Sequence, residues 1–139
     1  MFEFQNLEVY KNAKTFHFES KQLINSIQLD KSTKDQLSRA SFSIVLNIAE
    51  GSGRFSKPDR RHYFVISRGS VFECIAIFDI LHDANSINTK TFDSFLKKAD
   101  ELSRILYAMV RNLSNWFVVL FQSSHSDLRK FLIAWKLPH

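Results

Sequence analysis

The sequence predicts an all-α fold: an antiparallel up-down-up-down four-helix bundle with an extra short C-terminal helical segment. Three observations lead there. Glycine occurs only at 51, 53 and 69 and proline only at 58 and 138, too few breakers for a chain of short elements. Four long segments repeat apolar residues at helical spacing, and no strand alternation competes with them. Short polar stretches separate the four, so consecutive helices should be antiparallel neighbours. The 139 residues are expected to form one domain, with a core over about 6–121 and an extension over 122–139.

The first helix is expected from about Leu7 to Ile27. Asn6 is its expected N-cap, and Glu8 stands in the first turn, where the helix dipole favours an acid. Tyr10, Ala13, Phe16, Leu23, Ile24 and Ile27 share a face. The second starts at Ser32-Thr33-Lys34-Asp35, which is spaced like a capping box. Its stripe is Leu37, Ala40, Ile44, Val45 and Ile48. It should end near Gly51 to Gly53, where glycine can take the left-handed conformation that closes a helix.

The third helix begins at Ser56-Lys57-Pro58-Asp59 and runs to about Ala84. Ser56 can cap, and Pro58 is tolerated where the N–H groups have no intrahelical partner. Tyr63, Ile66, Ser70, Cys74, Ile77 and Leu81 form one stripe, with Phe64, Val71, Ile75 and Phe78 beside it. A helix apolar around so much of its circumference is buried on more than one side. Asn85 to Thr89 is a turn, with Asn88 or Thr89 as the next cap. The fourth helix is expected from about Lys90 to Leu120, its stripe running from Phe92, Phe95 and Leu96 through Ala99, Leu102, Leu106, Met109, Val110 and Leu113 to Trp116 and Leu120. Residues 122–126 interrupt the pattern. Leu128, Phe131, Leu132 and Trp135 then share the face of a short amphipathic piece, expected to dock on the bundle or on a neighbouring subunit.

Composition narrows the function classes. Cys74 is the lone cysteine, so no internal disulfide forms and a reducing compartment is expected. The opening Met1 to Gln5 lacks the features of a signal peptide, and the longest apolar run, residues 116–121, is too short for a membrane span, so a cytoplasmic location is expected. Phenylalanine is abundant, 14 of 139, more bulky apolar surface than one small bundle easily hides, which points to self-association. Formal net charge is +5, and residues 54–68 hold +4 of it: Arg54, Lys57, Arg60, Arg61 and Arg68 against Asp59.

Several stretches together resemble a known family. They are Asn6-Leu7-Glu8-Val9-Tyr10-Lys11; Gln36-Leu37-Ser38-Arg39-Ala40 leading into Ser43-Ile44; Asn47-Ile48-Ala49-Glu50-Gly51-Ser52-Gly53-Arg54; Gly69-Ser70-Val71-Phe72-Glu73; and Leu102-Ser103-Arg104-Ile105-Leu106-Tyr107. The chain resembles, over roughly residues 4–113, the small bacterial four-helix-bundle proteins first noticed in intervening sequences of 23S ribosomal RNA genes. The accessory variability proteins of diversity-generating retroelements are similar to that family. The resemblance implies an antiparallel bundle commonly assembled as a homopentamer and a basic surface suited to nucleic acid. For the retroelement branch it implies partnership with a reverse transcriptase. Val45 stands where the family usually has proline, and residues 114–139 extend past the family's usual end.

Asn47 and Glu50, three apart, share a helix face, and Arg54, Arg39 or Arg68 could pair with Glu50. With Gly51, Gly53 and Glu73 they form the structural signature. Glu73 is expected beside an arginine, buried or at an interface, and Gly69 and Ser70 are expected to let helices approach closely. Arg54, Lys57, Arg60, Arg61 and Arg68 are the candidate nucleic-acid contacts, with His62 nearby. Phe55 and Tyr63 could stack on bases, though core positions are the first expectation for both.

Catalytic and metal chemistry find no pattern. Asp79-x-x-His82 has no second copy of the kind a di-iron bundle requires, and no Cys/His spacing suits zinc. The glycine-bearing corner lacks the Gly-Lys-Ser/Thr ending of a phosphate loop. No arginine has a histidine at the spacing of helical-bundle ribonucleases; Arg54 and His62 are too far apart. No catalytic residue, metal or cofactor is therefore expected. The leading expectation is a non-enzymatic, homo-oligomeric nucleic-acid-binding accessory or scaffold protein. The alternative is a protein-interaction module with no nucleic-acid role, its docking surfaces on the third helix, tested at Phe64 or Phe78, and on residues 116–135.

Overall fold

Four α-helices account for nearly all of the computed structural model, which describes residues 2–122, with side chains through residue 114. A short 3-10 turn, Glu3–Asn6, leads into α1, Glu8–Ser26. Helices α2, Lys31–Ser52, α3, Lys57–Asp83, and α4, Thr89–Gln122, follow. Connections of four or five residues join them, so neighbours in sequence run antiparallel. Helix α3 packs most extensively, against α2 and α4, and α1 closes the ring with its lighter contact to α4. No strand occurs among the described residues. The amphipathic piece at Leu128, Phe131, Leu132 and Trp135 lies outside the described residues, as do the side chains of Trp116 and Leu120.

Two of the expected caps differ. Asn6 belongs to the 3-10 turn, and Leu7 takes the N-cap position of α1 without a side-chain bond. Helix α2 is capped by Asp30 rather than Ser32: Asp30 Oδ1 accepts from the Thr33 N–H at 2.9 Å. The Thr33 hydroxyl also donates to Asp30 Oδ2, and these two bonds hold the Asp30 carboxyl below the usual range. Ser56 caps α3 as expected, its Oγ accepting from the Asp59 N–H at 3.2 Å, with Pro58 in the first turn. Asn88 caps α4 through Thr91 N–H at 2.8 Å, and Asn85 takes the left-handed conformation (φ 55°) that ends α3.

The core is continuous across all four helices. Ala13 and Phe16 of α1, Leu37, Ile44 and Ile48 of α2, Val71, Cys74 and Phe78 of α3, and Leu102 and Leu106 of α4 are all but fully buried. All five stripe residues expected of α2 are buried, and the helix passes through Val45 without a break. Three aromatics tie one half of the bundle together: Phe78 stacks on Phe95 at 4.3 Å, and Phe16 meets both edge-on. Ile66 and Leu96 leave the expected stripes and face solvent.

Small residues set the α2–α3 approach. Ser67 Oγ reaches across to the Ile44 carbonyl at 2.9 Å, and Ser70 Oγ to Ser43 Oγ at 2.9 Å. Gly51 is buried there, where an added Cβ would lie 2.7 Å from a ring carbon of Phe64. Its role is therefore close packing, with no left-handed turn: neither it nor Gly53 has a positive φ. The chain leaves α2 through a tightened last turn, Gly53 N–H to the Glu50 carbonyl and Arg54 N–H to the Gly51 carbonyl. Gly69, expected at a close approach, has open space where a Cβ would sit.

Candidate functional site

The corner between α2 and α3 gathers most of the candidate residues. Asn47 keeps to its own helix, donating to the Ser43 carbonyl at 2.8 Å and to Ser43 Oγ at 3.0 Å. Glu50, one turn on, pairs with Arg54, the first of the three arginines considered for it. The Arg54 guanidinium also donates to the Tyr63 hydroxyl at 2.6 Å and lies 4.6 Å from the centre of that ring. Arg54 is thus a clamp across the corner, its charge largely answered by Glu50.

Arg60 and Arg61 differ from it. Both are exposed, in the first turns of α3, and both donate to neutral oxygens: Arg60 Nε to the Arg54 carbonyl at 2.7 Å, Arg61 Nε to Ser114 Oγ at 2.6 Å. Neutral partners orient a guanidinium and leave its charge uncancelled. Lys57 stands at the start of the same helix, half-buried and engaged by its surroundings. The N-terminal N–H groups of α3 add partial positive charge.

Arg68 lies two turns further along, on the α3 face that Arg61 also occupies, and packs over Phe72 at 4.8 Å and Tyr107 at 5.4 Å. Its Nε donates to the Ser103 carbonyl of α4 at 3.3 Å. The α3–α4 seam therefore runs from Arg61 to Arg68, and Arg111 stands on α4 one turn from Ser114. Sequence reasoning missed Arg111 and Tyr107, because only the register of two antiparallel helices brings them to α3.

Phe55 corrects an expectation. A core position is expected for it, yet it is fully exposed in the connection between Arg54 and Ser56. Tyr63 is half-buried under Arg54, and His62 is exposed, edge-on to it at 5.5 Å. Glu73 lies on the surface, and its partner is Gln36 of α2 in place of the expected arginine. Ser70 and Cys74 are buried as expected. Burial first, then the nearby Glu73 charge, pushes the Cys74 thiol up to about 12, which leaves it unreactive at neutral pH.

An open cleft of about 710 Å³ adjoins this corner. The 3-10 turn and Leu7 form one wall, the end of α2 with Arg60 and Phe64 of α3 another, and Met109, Asn112 and Leu113 of α4 a third. Its lining is mostly apolar, and Phe2 at its edge is 74% exposed. The described residues bring no three metal-ligating side chains together, and none of the helices they form is long and apolar enough to cross a membrane.

No curated protein matches the chain. The crystal structure of a protein with unknown function from the S23 ribosomal protein family, from Bacteroides thetaiotaomicron, is similar in fold: 18% sequence identity, TM-score 0.69, covering 73% of this chain and 97% of that one. The sequence profile of the 23S rRNA-intervening sequence proteins matches residues 5–108, the bundle from the 3-10 turn through most of α4. On that match, the chain belongs to the 23S rRNA-intervening sequence protein family.

Proposed function

We propose that the protein is a non-enzymatic, homo-oligomeric bundle that binds RNA or DNA through Arg60, Arg61 and Lys57 and serves as an accessory or scaffold to a nucleic-acid enzyme. The observation that carries this reading is the pair Arg60 and Arg61, oriented by neutral oxygens beside the fully exposed Phe55. Cations that keep their charge contact phosphates, and an exposed ring stacks on bases. Arg68, held between two rings, and Arg54, paired with Glu50, contribute less. Self-association is supported by large apolar side chains that stay exposed: Phe42 and Leu46 on α2, Phe72 and Ile80 on α3. The pentamer and the reverse-transcriptase partner come from the family resemblance and belong to this proposal.

Filter binding to single-stranded RNA over a salt series tests it. Affinity should fall as salt rises, with a slope of about −0.7 per phosphate neutralised. Arg60→Glu with Arg61→Glu should weaken binding and flatten that slope by about 1.4 or more. Unchanged binding in the double variant, or none at low salt in the parent, rules the reading out. Light scattering addresses the oligomer, and Phe72→Glu or Ile80→Glu should reduce the mass. Phe64 and Phe78, expected from the sequence to serve as docking residues, are core residues, 5% and 0% exposed. The alternative, a protein-interaction module, is favoured if those surface variants lower the mass while the parent has no affinity for nucleic acid.

A further inference from the structure

We infer that the seam between α3 and α4 is a track for a single strand of nucleic acid, with phosphates on Arg61 and Arg111 and a base on Tyr107. This rests on the nucleic-acid reading above and narrows it to one strand and one path. The first ground is charge. Residues 60–72 of α3 carry Arg60, Arg61 and Arg68 and no acid, and residues 102–114 of α4 carry Arg104 and Arg111 and no acid. Acids only flank these stretches: Asp59 and Glu73 on α3, Asp100 and Glu101 on α4. The two stretches face each other, since Arg61 meets Ser114 and Arg68 meets Ser103 and Tyr107. Arg104 is paired with Asp100 at 2.8 Å, so the field along the seam comes chiefly from Arg61, Arg68 and Arg111.

The second ground is the setting of Tyr107. The Arg68 guanidinium lies over two rings, Phe72 at 4.8 Å and Tyr107 at 5.4 Å, and its Nε bond to the Ser103 carbonyl orients it there. Tyr107 thus has a cation against its ring, yet the residue stays 49% exposed. A ring backed in this way and half open is a stacking surface for a base. Stacking of that kind needs a base outside a double helix. A duplex can offer its phosphates to Arg61 and Arg111, but its paired bases have nothing to give Tyr107.

The third ground is spacing. Arg61, Val65 and Arg68 share one face of α3, and Tyr107, Arg111 and Ser114 share one face of α4. From Arg61 to Arg68 is about 10 Å along the helix axis. That is the length of about three nucleotides stacked at about 3.4 Å each. Val65, exposed between the two arginines, gives the apolar floor over which bases lie. The fully exposed Phe55, in the connection before α3, stands beyond Arg61 and offers a second ring at that end. Along the axis the order is therefore ring, cation, apolar floor, then a ring backed by a cation.

Fluorescence anisotropy with the full-length chain tests this, using a labelled oligouridine strand and the same strand paired with oligoadenosine. Tyr107→Leu should weaken single-strand binding by about 5- to 100-fold, with duplex binding and the salt slope unchanged. Tyr107→Phe, which keeps the ring, should bind as the parent does. Light scattering and circular dichroism of Tyr107→Leu should match the parent, so that the loss is one of contact. In the parent, a strand carrying 5-iodouridine should photo-cross-link to the peptide that contains Tyr107. Unchanged single-strand binding in Tyr107→Leu, an equal loss on the duplex, a loss shared by Tyr107→Phe, or no cross-link to that peptide overturns the inference. If Arg60→Glu with Arg61→Glu weakens binding while Tyr107→Leu leaves it intact, the seam falls and the nucleic-acid reading stands. If the parent binds neither strand nor duplex at low salt, that reading falls and takes the seam with it.

Discussion

The two ends of the bundle are built on opposite plans. At the end holding the α1–α2 and α3–α4 connections, the interior is closed, with Ile80 of α3 left outside it. Ile87 in the connection is 7% exposed, His82 stacks on Phe92 at 4.8 Å, and the Phe16, Phe78 and Phe95 rings fill the interior beneath. At the other end the last turn of α2, the start of α3 and the upper part of α4 leave a cleft, an uncovered Phe55 and unneutralised arginines. Apolar side chains turned inward at one end give stability. Similar side chains left outward at the other give surface, and surface is what a partner meets. Stability thus rests on one end of this small fold, and the proposed recognition surface lies at the other.

That division is open to test, from the largest expected effect to the smallest. Phe78→Ala, in the closed half, should cost about 3–5 kcal/mol in urea unfolding, since the cavity left among Phe16, Phe95 and their neighbours cannot easily collapse. Gly51→Ala comes next. The new methyl meets the buried Phe64 ring, so overpacking of about 1–3 kcal/mol should outweigh the gain of about 1 kcal/mol in helix propensity. Phe64→Leu should relieve part of that cost when combined with it, and a Tm that rises in Gly51→Ala alone would remove the packing argument. Ser56→Ala should cost about 1 kcal/mol by freeing the α3 N-terminus. If it alters RNA affinity without altering stability, the open end is not organised by its cap.

The smallest effect is with pH. His17 is half-buried, its Nδ1 2.8 Å from Ser41 Oγ, and burial, then the Lys21 charge, lower its pKa. Above the ordinary histidine value of about 6.5 the ring is neutral in both states and the full stability is present. As pH falls below that value the unfolded chain takes up a proton first, and stability declines until the folded-state value is passed. His17→Gln should flatten this decline, seen as a Tm nearly constant between pH 7 and 5.

How much of this was legible depends on the interaction. The stripe Leu37, Ala40, Ile44, Val45, Ile48 was readable because helical periodicity is local, and Ser56 was readable because Pro58 and Asp59 leave few other places for the helix to start. Asp30 was missed by two residues, since Asp30, Ser32 and Thr33 can all cap and only the extended backbone at Asp30 (ψ 154°) decides between them. Phe55 was misplaced because a large ring reads as core whichever way its connection points. The Arg61–Ser114 and Arg68–Tyr107 contacts depend on the register of α3 against α4, which no single segment encodes.

Helix α4 has 34 residues against 22 in α2, about 18 Å more length along the axis. Ser52 at the end of α2 lines the cleft with Asn112 and Leu113, and Arg61 near the start of α3 meets Ser114, so the last turns of α4 run past both at the end that carries Arg60 and Arg61. The molecule therefore has a head and a tail, as a nail does. Any ring of copies standing side by side in the same sense would carry every projection on one rim, and would meet a nucleic acid from one direction only.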